Sequence, residues 1–230
     1  MSESSERVYE ELTPRTMDAV LQFLEGASFD CEREAYECEA VGEITPEHMQ
    51  RSIMLPYEIA LTERSKKVVL TTGKNRSIPT TANFIVRRDT SRLSLHTHHI
   101  GLGQETTTPS FSDIYLTDFA SPRTPLILAH RLGLTVYRRP ILLDPSTLKP
   151  VRSDIRDTLL LWGEENNIDI FSFGGKNLRS PHDLTPNEKF SLERKFAAEA
   201  NLIVEDGEWE DTQRIQGIMD YINLRRNKNS

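Results

Sequence analysis

Residues 92–98, with the sequence Arg-Leu-Ser-Leu-His-Thr-His, form the stretch that decides the fold. Apolar and polar side chains alternate along it, and a period of two is typical of a half-buried β-strand. Leu95 and Thr97 share the face that can pack into a core. His96 and His98 share the opposite face. Because alternate residues of a strand are about 6–7 Å apart, these two imidazoles are expected to lie close enough to bind one metal ion.

A second polar pattern follows, at the start of an expected helix. The helix is expected near 110–119, after a Gly- and Thr-rich loop at 99–109. Ser110 and Asp113 are three residues apart, and residues with that spacing lie on one face of a helix. Taken alone, the spacing is typical of a helix N-cap with an acid in the first turn. Two histidines, one aspartate and a water would together form the open tetrahedral site of a catalytic zinc ion.

The flanking sequence predicts a mixed α/β protein. Runs of β-forming residues predict strand pairs. Thr-Pro pairs predict helix starts, because threonine is a good N-cap and proline is tolerated in the first turn. The expected strand pairs are 58–62 with 67–72, 83–87 with 92–98, and 125–130 with 134–138. The expected helices begin at Thr13-Pro14, Thr45-Pro46 and Thr185-Pro186, or span 154–163 and 211–224.

Three segments are expected along the chain. Residues 1–43 are an N-terminal extension with a disordered start and one helix. Residues 44–165 are the α/β domain, with a mixed, mainly antiparallel sheet and flanking helices. Residues 166–230 are a helical C-terminal extension.

Composition restricts the class of protein. Among 230 residues, 37% are hydrophobic and 27% charged, which is typical of a globular chain. We expect no membrane span, because no run of about 18 apolar residues occurs. The start of the chain lacks a secretory pattern, and the two cysteines, Cys31 and Cys38, give no disulfide framework, so we expect a cytoplasmic protein. The net charge of −7 argues against nucleic acid as the main partner.

The two polar patterns together resemble the JAB/JAMM (MPN-plus) zinc metallopeptidases. That family carries an upstream glutamate and then the motif H-[ST]-H-x7-S-x2-D. Here His96-Thr97-His98 matches the first part of the motif, and Ser110-x-x-Asp113 matches the second. The order of strand, loop and helix start makes the combination more specific than either half.

An upstream glutamate extends the resemblance. The stretch Pro56-Tyr57-Glu58 opens an expected strand directly after a helix, and the family places its catalytic glutamate in such a P-x-E context. Glu63 lies in an expected turn and is the weaker candidate. With the strand pair that follows the Asp-bearing helix, the resemblance covers about residues 46–140.

Two features depart from the family pattern. Eleven residues, 99–109, separate His98 from Ser110, where the family usually has seven. His99 stands where the family usually has proline. It alternates to the wrong face for ligation together with His98, so we expect a loop residue. A longer surface loop is well tolerated, so the departure bears on the substrate entrance more than on the metal.

The resemblance implies a zinc-dependent hydrolase of amide or isopeptide bonds, acting on a ubiquitin-like modifier or related peptide. Zn²⁺ would be bound by His96, His98 and Asp113. Glu58 would be the general base for the attacking water and would return the proton to the leaving amine. Ser110 would stabilise the oxyanion. The resemblance also implies the JAB/MPN-like layering of sheet and helices, similar to that of cytidine deaminases.

Three other interpretations stay open. A catalytically silent MPN-type interaction scaffold would share the fold, although such relatives often lose the ligands that are kept here. A PHP-type phosphoesterase also carries His-x-His on a strand, but it uses more histidines and a large barrel, and beyond residues 96–99 only His48, His130 and His182 remain. A structural α/β protein with incidental histidines is the third. The sequence makes no prediction about oligomeric state.

Overall fold

A computed structural model describes residues 13–26, 29–64, 67–72, 94–98, 109–116, 125–138, 142–143, 150–151, 155–170 and 178–227 of the chain. The strands are β1 (Pro14–Thr16), β2 (Tyr36–Val41), β3 (Ile59–Arg64), β4 (Lys67–Thr72), β5 (Ser94–Thr97), β6 (Leu126–His130), β7 (Gly133–Arg138), β8 (Leu142–Leu143), β9 (Pro150–Val151) and β10 (Ile203–Glu208). The α-helices are α1 (Met17–Glu25), α2 (Pro46–Ile53), α3 (Phe111–Leu116), α4 (Ile155–Glu165), α5 (Pro186–Glu199) and α6 (Thr212–Asn227), and a 3₁₀ helix spans Pro181–Asp183.

Eight strands form one open sheet in the order β1-β2-β4-β3-β5-β6-β7-β10. The pairs β1–β2 and β5–β6 are parallel, and the other five neighbouring pairs are antiparallel. The expected mixed, mainly antiparallel sheet is therefore confirmed. Strands β8 and β9 form a separate antiparallel pair.

Three helices cover one face of the sheet. Leu95 of β5 and Ile127 of β6 point to this face and are fully buried. They belong to one apolar cluster with the inner sides of α1, α2 and α6, which contribute Met17, Val20, Leu21, Leu24, Met49, Ile53, Ile215, Met219 and Ile222. Because burial of each large aliphatic side chain contributes about 1.5–3 kcal/mol, this cluster holds the back of β5 firmly.

Helix α3 approaches the opposite face of the sheet, and α4 and α5 pack against it. Three aromatic rings form the contact: Phe111 of α3 lies 5.8 Å from Trp162 of α4, and Trp162 lies 5.3 Å from Phe196 of α5, measured between ring centroids. These rings belong to a second apolar cluster, separate from the one behind β5. Helix α3 is thus placed between the sheet and a helical layer.

Two of the three helix starts predicted from Thr-Pro pairs are confirmed. Thr45 and Thr185 each cap a helix and take part in a capping box, with proline in the first turn. The start predicted at Thr13-Pro14 is wrong. Helix α1 begins three residues later with Thr16 as its N-cap, because Pro14–Thr16 extends as β1 and pairs with β2.

The strand pairs β3–β4 and β6–β7 confirm two of the expected hairpins. The expected pairing of 83–87 with 92–98 is wrong for the residues of β5. Both edges of β5 are already occupied, by β3 on one side and β6 on the other. Residues 83–87 themselves lie outside the described residues, as do the expected disordered start at 1–12 and the loop residues 99–108.

Both terminal segments contribute strands to the sheet, which corrects the expectation of purely helical extensions. Within 1–43, β2 pairs with β4, and within 166–230, β10 pairs with β7. The alternation of Glu37, Cys38, Glu39 and Ala40 was a usable signal for β2. Strand β10 is an edge strand with mostly exposed side chains, so it lacks that alternation. In the described part of the chain, no helix is long and apolar enough to cross a bilayer.

Candidate metal centre

Strand β5 lies in the interior of the sheet, and its neighbours β3 and β6 fix the two histidines from both sides. In the strand register His96 pairs with Ala60 of β3 and with Leu128 of β6. One residue past the strand, the N–H of His98 still donates to the carbonyl oxygen of Ala129 at 2.8 Å. Both imidazoles are mostly buried, and their ring centroids are 5.1 Å apart. The predicted shared face is confirmed.

The start of α3 is fixed by two reciprocal hydrogen bonds between Ser110 and Asp113. The N–H of Asp113 donates to Oγ of Ser110 at 3.2 Å, and the N–H of Ser110 donates to Oδ2 of Asp113 at 2.7 Å. The carbonyl oxygen of Ser110 accepts from the N–H of Ile114 at 2.9 Å. Ser110 is therefore the N-cap of α3, and its backbone orients the Asp113 carboxylate.

The three predicted ligands converge in space. Ligand atoms of His96, His98 and Asp113 all lie within 4.8 Å of one another. Nε2 of His96 lies 3.1 Å from Oδ1 of Asp113, and Nε2 of His98 lies 3.5 Å from Oδ2. Two imidazole nitrogens and a carboxylate oxygen on one small volume are a donor set that a divalent metal ion accepts.

One unsatisfied atom supports a cation between these groups. Nε2 of His96 is buried, and apart from its 3.1 Å ion-pair contact with Oδ1 of Asp113 it has no hydrogen-bond partner among the described residues. A buried nitrogen left without a partner is costly. A metal ion would bind this nitrogen and the facing carboxylate oxygen at once. The side chains of His96, His98 and Asp113 therefore fit a metal ion.

The electrostatics of the cluster also favour positive charge. Burial alone would disfavour ionisation of both partners. The Asp113 carboxylate nevertheless outweighs burial at His96 and raises the pKa of that imidazole, with a further contribution from Glu58. In turn His96 and His98 hold the pKa of Asp113 well below its usual range. The carboxylate is therefore ionised at neutral pH, as a metal ligand must be.

Glu58 lies next to the cluster, directly before β3. Ala60 is opposite His96 in the antiparallel register. Two residues back from Ala60 and two residues on from His96, Glu58 is therefore opposite His98, on the same face of the sheet. Its carboxylate is half-buried and raises the pKa of His96, which reflects its proximity. On the other side of β5, the hydroxyl of Thr97 accepts from the N–H of Ile59 at 3.0 Å and fixes this end of β3.

Glu63, the weaker candidate for a catalytic base, points away from the cluster. It is buried on β3, three residues after Ala60. Because side chains alternate along a strand, Glu63 points to the opposite face from Ala60, which is the face that α1, α2 and α6 cover. His99, which was expected to be a loop residue, lies outside the described residues.

A chain of polar side chains beside the cluster was not predicted. The N–H of Leu132 donates to Nδ1 of His130 at 3.2 Å, so the ring hydrogen of His130 is on Nε2 and is directed at Oγ1 of Thr135, 3.0 Å away. The Thr135 hydroxyl donates to Asp206 of β10 at 2.6 Å. Burial lowers the pKa of His130 to about 4, so this ring is neutral. The alternation along β6 and β7 could have predicted that His130 and Thr135 share one face of the sheet. It could not have predicted that Asp206 of β10 lies opposite Thr135.

Two further buried residues near the site gave no sequence signal. Tyr137 is buried on β7, and both burial and the nearby Asp113 carboxylate raise the pKa of its hydroxyl well above the usual value. Glu193 of α5 is fully buried and accepts a hydrogen bond from the N–H of Phe111 at 3.2 Å. A glutamate in a charged helix such as α5 is normally read as a solvent-exposed residue.

Comparison with known proteins gives no match for this chain. No family model matches the sequence. Searches of curated proteins and of solved structures likewise find no significant match. The side chains of the cluster themselves are therefore the evidence on function.

Proposed function

We propose that the protein is a zinc-dependent hydrolase of amide or isopeptide bonds, of the JAB/JAMM metallopeptidase type. The observation that supports it most directly is the convergence of His96, His98 and Asp113 around a buried nitrogen that has no hydrogen-bond partner among the described residues. Two histidines and one carboxylate leave a fourth tetrahedral position open, which is the pattern of catalytic rather than structural zinc.

The ion and the residues around it have separable roles. A bound Zn²⁺ ion supplies a Lewis acid and lowers the pKa of a coordinated water to about 7. Glu58 accepts the proton that the attacking water loses and then delivers it to the leaving amine. Its half-buried carboxylate, on the same sheet face as the histidines, suits both transfers.

Ser110 is the proposed donor to the developing oxyanion. Its Oγ accepts from the N–H of Asp113, so this contact does not use the hydroxyl hydrogen. The hydroxyl can therefore donate to the carbonyl oxygen of a substrate as negative charge builds up on it. Because the same hydrogen bond caps α3, Ser110 is held in place before the substrate binds.

The substrate class and the layering come from the resemblance alone, and the cellular setting comes from composition. We propose a ubiquitin-like modifier or a related peptide as the substrate, a JAB/MPN-like layering of sheet and helices, and a cytoplasmic protein without a nucleic-acid partner. The negative net charge and the two free cysteines agree with this setting.

The test joins metal analysis to an activity assay. The full chain is purified without added metal, its zinc content is measured, and it is assayed on a ubiquitin-like fusion with and without a zinc chelator. We expect about one zinc ion per chain, with cleavage that the chelator stops and added zinc restores. A chain without stoichiometric zinc would contradict the metal centre. Zinc without cleavage of any amide-linked substrate would favour the silent scaffold.

A further inference from the structure

A carboxyl group from the C-terminal part of the chain reaches the start of the metal-bearing helix. Oε1 of Glu193, on α5, accepts a hydrogen bond from the backbone N–H of Phe111 at 3.2 Å. Phe111 is the first residue of α3, 82 positions earlier in the chain. The first N–H groups of a helix have no partner within the helix, so Glu193 satisfies a donor that would otherwise be buried and unpaired.

The Glu193 carboxyl group lies in an unfavourable environment. The Glu193 side chain is completely buried, and its Oε2 atom has no hydrogen-bond partner among the described residues. Burial raises the pKa of Glu193 to about 8, although Lys189, 3.9 Å away, opposes this. A buried carboxyl group is costly unless both of its oxygens are paired. The polar group is therefore better explained by what it contacts.

Helix α3 depends on outside contacts for its position. It has only six residues, Phe111–Leu116, and a helix that short does not persist in isolation. Its first residue makes two kinds of contact with α4 and α5, a hydrogen bond and the packing of aromatic rings. The Phe111 backbone bonds to Glu193, and the Phe111 ring packs 5.8 Å from Trp162 and 6.4 Å from Phe196, between centroids. Asp113 is two residues further along the same turn.

We propose that Glu193 is a positioning residue of the metal centre, which fixes the start of α3 through the Phe111 N–H and thereby aims the Asp113 carboxylate at His96 and His98. The inference rests on the proposed metal site. It gives the C-terminal part of the chain a role in metal binding. Glu193 itself contacts neither the ion nor the substrate.

Two substitutions separate the length of the Glu193 side chain from its acidity. Glu193→Gln keeps the length and an acceptor oxygen, and it removes the ionisable group. Glu193→Asp keeps the acid but shortens the side chain, so its oxygen no longer reaches Phe111. Thr185→Ala is the matched control, because Thr185 caps the same helix α5 from an exposed position.

Cobalt titration of the full-length protein, followed by its visible absorption, measures the effect. We expect Glu193→Asp to weaken cobalt binding about tenfold or more, and Glu193→Gln to stay within about threefold of the parent. Thr185→Ala should lower the melting temperature by a few degrees and leave cobalt affinity unchanged. Unchanged affinity in Glu193→Asp would overturn the proposal, as would equal losses in Glu193→Asp and Glu193→Gln, or in Glu193→Asp and Thr185→Ala.

Amide hydrogen exchange in the metal-free protein tells failure of this role from failure of the metal centre. Loss of the contact should make the Phe111 amide of Glu193→Asp exchange about tenfold faster than in the parent or in Glu193→Gln. Equal exchange rates would overturn the role of Glu193 alone. A parent protein that binds no cobalt would overturn the metal centre, and with it the inference.

Discussion

Nε2 of His96 lies 3.1 Å from Oδ1 of Asp113, although one residue belongs to an interior strand and the other to a short helix above the sheet. The two groups come together because β5 is held between β3 and β6, while Ser110 orients the Asp113 carboxylate. A cation between them would remove the cost of a buried nitrogen without a hydrogen-bond partner in the described part of the chain.

Replacement of one imidazole should remove the metal. In His98→Ala the site retains one nitrogen and one carboxylate, too few to hold zinc tightly, so zinc content should fall close to zero. His48→Ala is the matched control, because His48 lies in the first turn of α2, which packs on the other face of the sheet. Metal analysis of both purified variants decides the point. Equal zinc in His98→Ala and the parent would refute the ligand assignment.

The base can be tested separately from the ligands. Glu58→Gln should lower the hydrolysis rate by about 10²-fold or more, because it removes the proton acceptor, and should leave zinc content unchanged. Glu63→Gln is the control on the same strand, since Glu63 points to the other face. Loss of zinc in Glu58→Gln, or full activity in it, would show that Glu58 is not the base.

Ser110 combines a structural and a catalytic role, which a matched cap deletion separates. Ser110→Ala loses the hydroxyl but keeps the backbone N–H that bonds to Asp113, so zinc should be retained. We expect turnover to fall about 10²–10³-fold and stability to fall by about 1 kcal/mol. Thr45→Ala removes the cap of α2 and should cost the same stability with unchanged turnover. If both variants lose equal activity, the effect of Ser110 is structural only.

The features that the sequence predicted are those carried by local patterns. Alternation along 94–98 placed His96 and His98 on one face, and the spacing of Ser110 and Asp113 placed them on one face at the start of a helix. These relations depend on the geometry of one strand and one helix. The same holds for the β3–β4 and β6–β7 hairpins, whose partners are adjacent in sequence.

The features that the sequence missed depend on contacts between distant segments. Alternation tells which face a side chain takes, but it does not tell which strand is the neighbour, so β5 was assigned the wrong partner. The contact between Glu193 and Phe111 joins residues 82 positions apart and has no local pattern. The exposed edge strand β10 was missed because no buried face imposes alternation on it.

The neutral state of His130 should make stability depend on pH. Burial lowers the pKa of His130 to about 4 in the folded protein, against 6.5 as the ordinary value. The unfolded chain therefore binds more protons between these two values. The contribution is fully present above pH 6.5 and is lost as the pH falls toward 4, by about 3 kcal/mol in total.

Urea unfolding of the metal-free protein at several pH values measures this loss. His130→Gln is the comparison, because glutamine carries a donor and an acceptor, as the neutral ring does, but does not titrate. The parent should lose about 3 kcal/mol more than His130→Gln between pH 7 and pH 4. Other titrating groups are common to both proteins and cancel. Parallel pH profiles would show that His130 does not stay neutral in the folded state.

Gly133 should be required for the attachment of β10 to the sheet. A Cβ atom at this position would lie 1.9 Å from the carbonyl oxygen of Gly207 and 2.9 Å from Cα of Glu208, both backbone atoms of β10. Backbone atoms cannot move aside without breaking the β7–β10 pairing, so Gly133→Ala should destabilise the protein by about 1–3 kcal/mol.

Gly217 is the matched control, because a Cβ there meets nothing within 4 Å on the exposed side of α6. Gly217→Ala should stabilise by up to about 1 kcal/mol, since alanine is the better helix former. Urea unfolding measures both changes, and a Gly133→Ala protein as stable as the parent would contradict the observed register of β10.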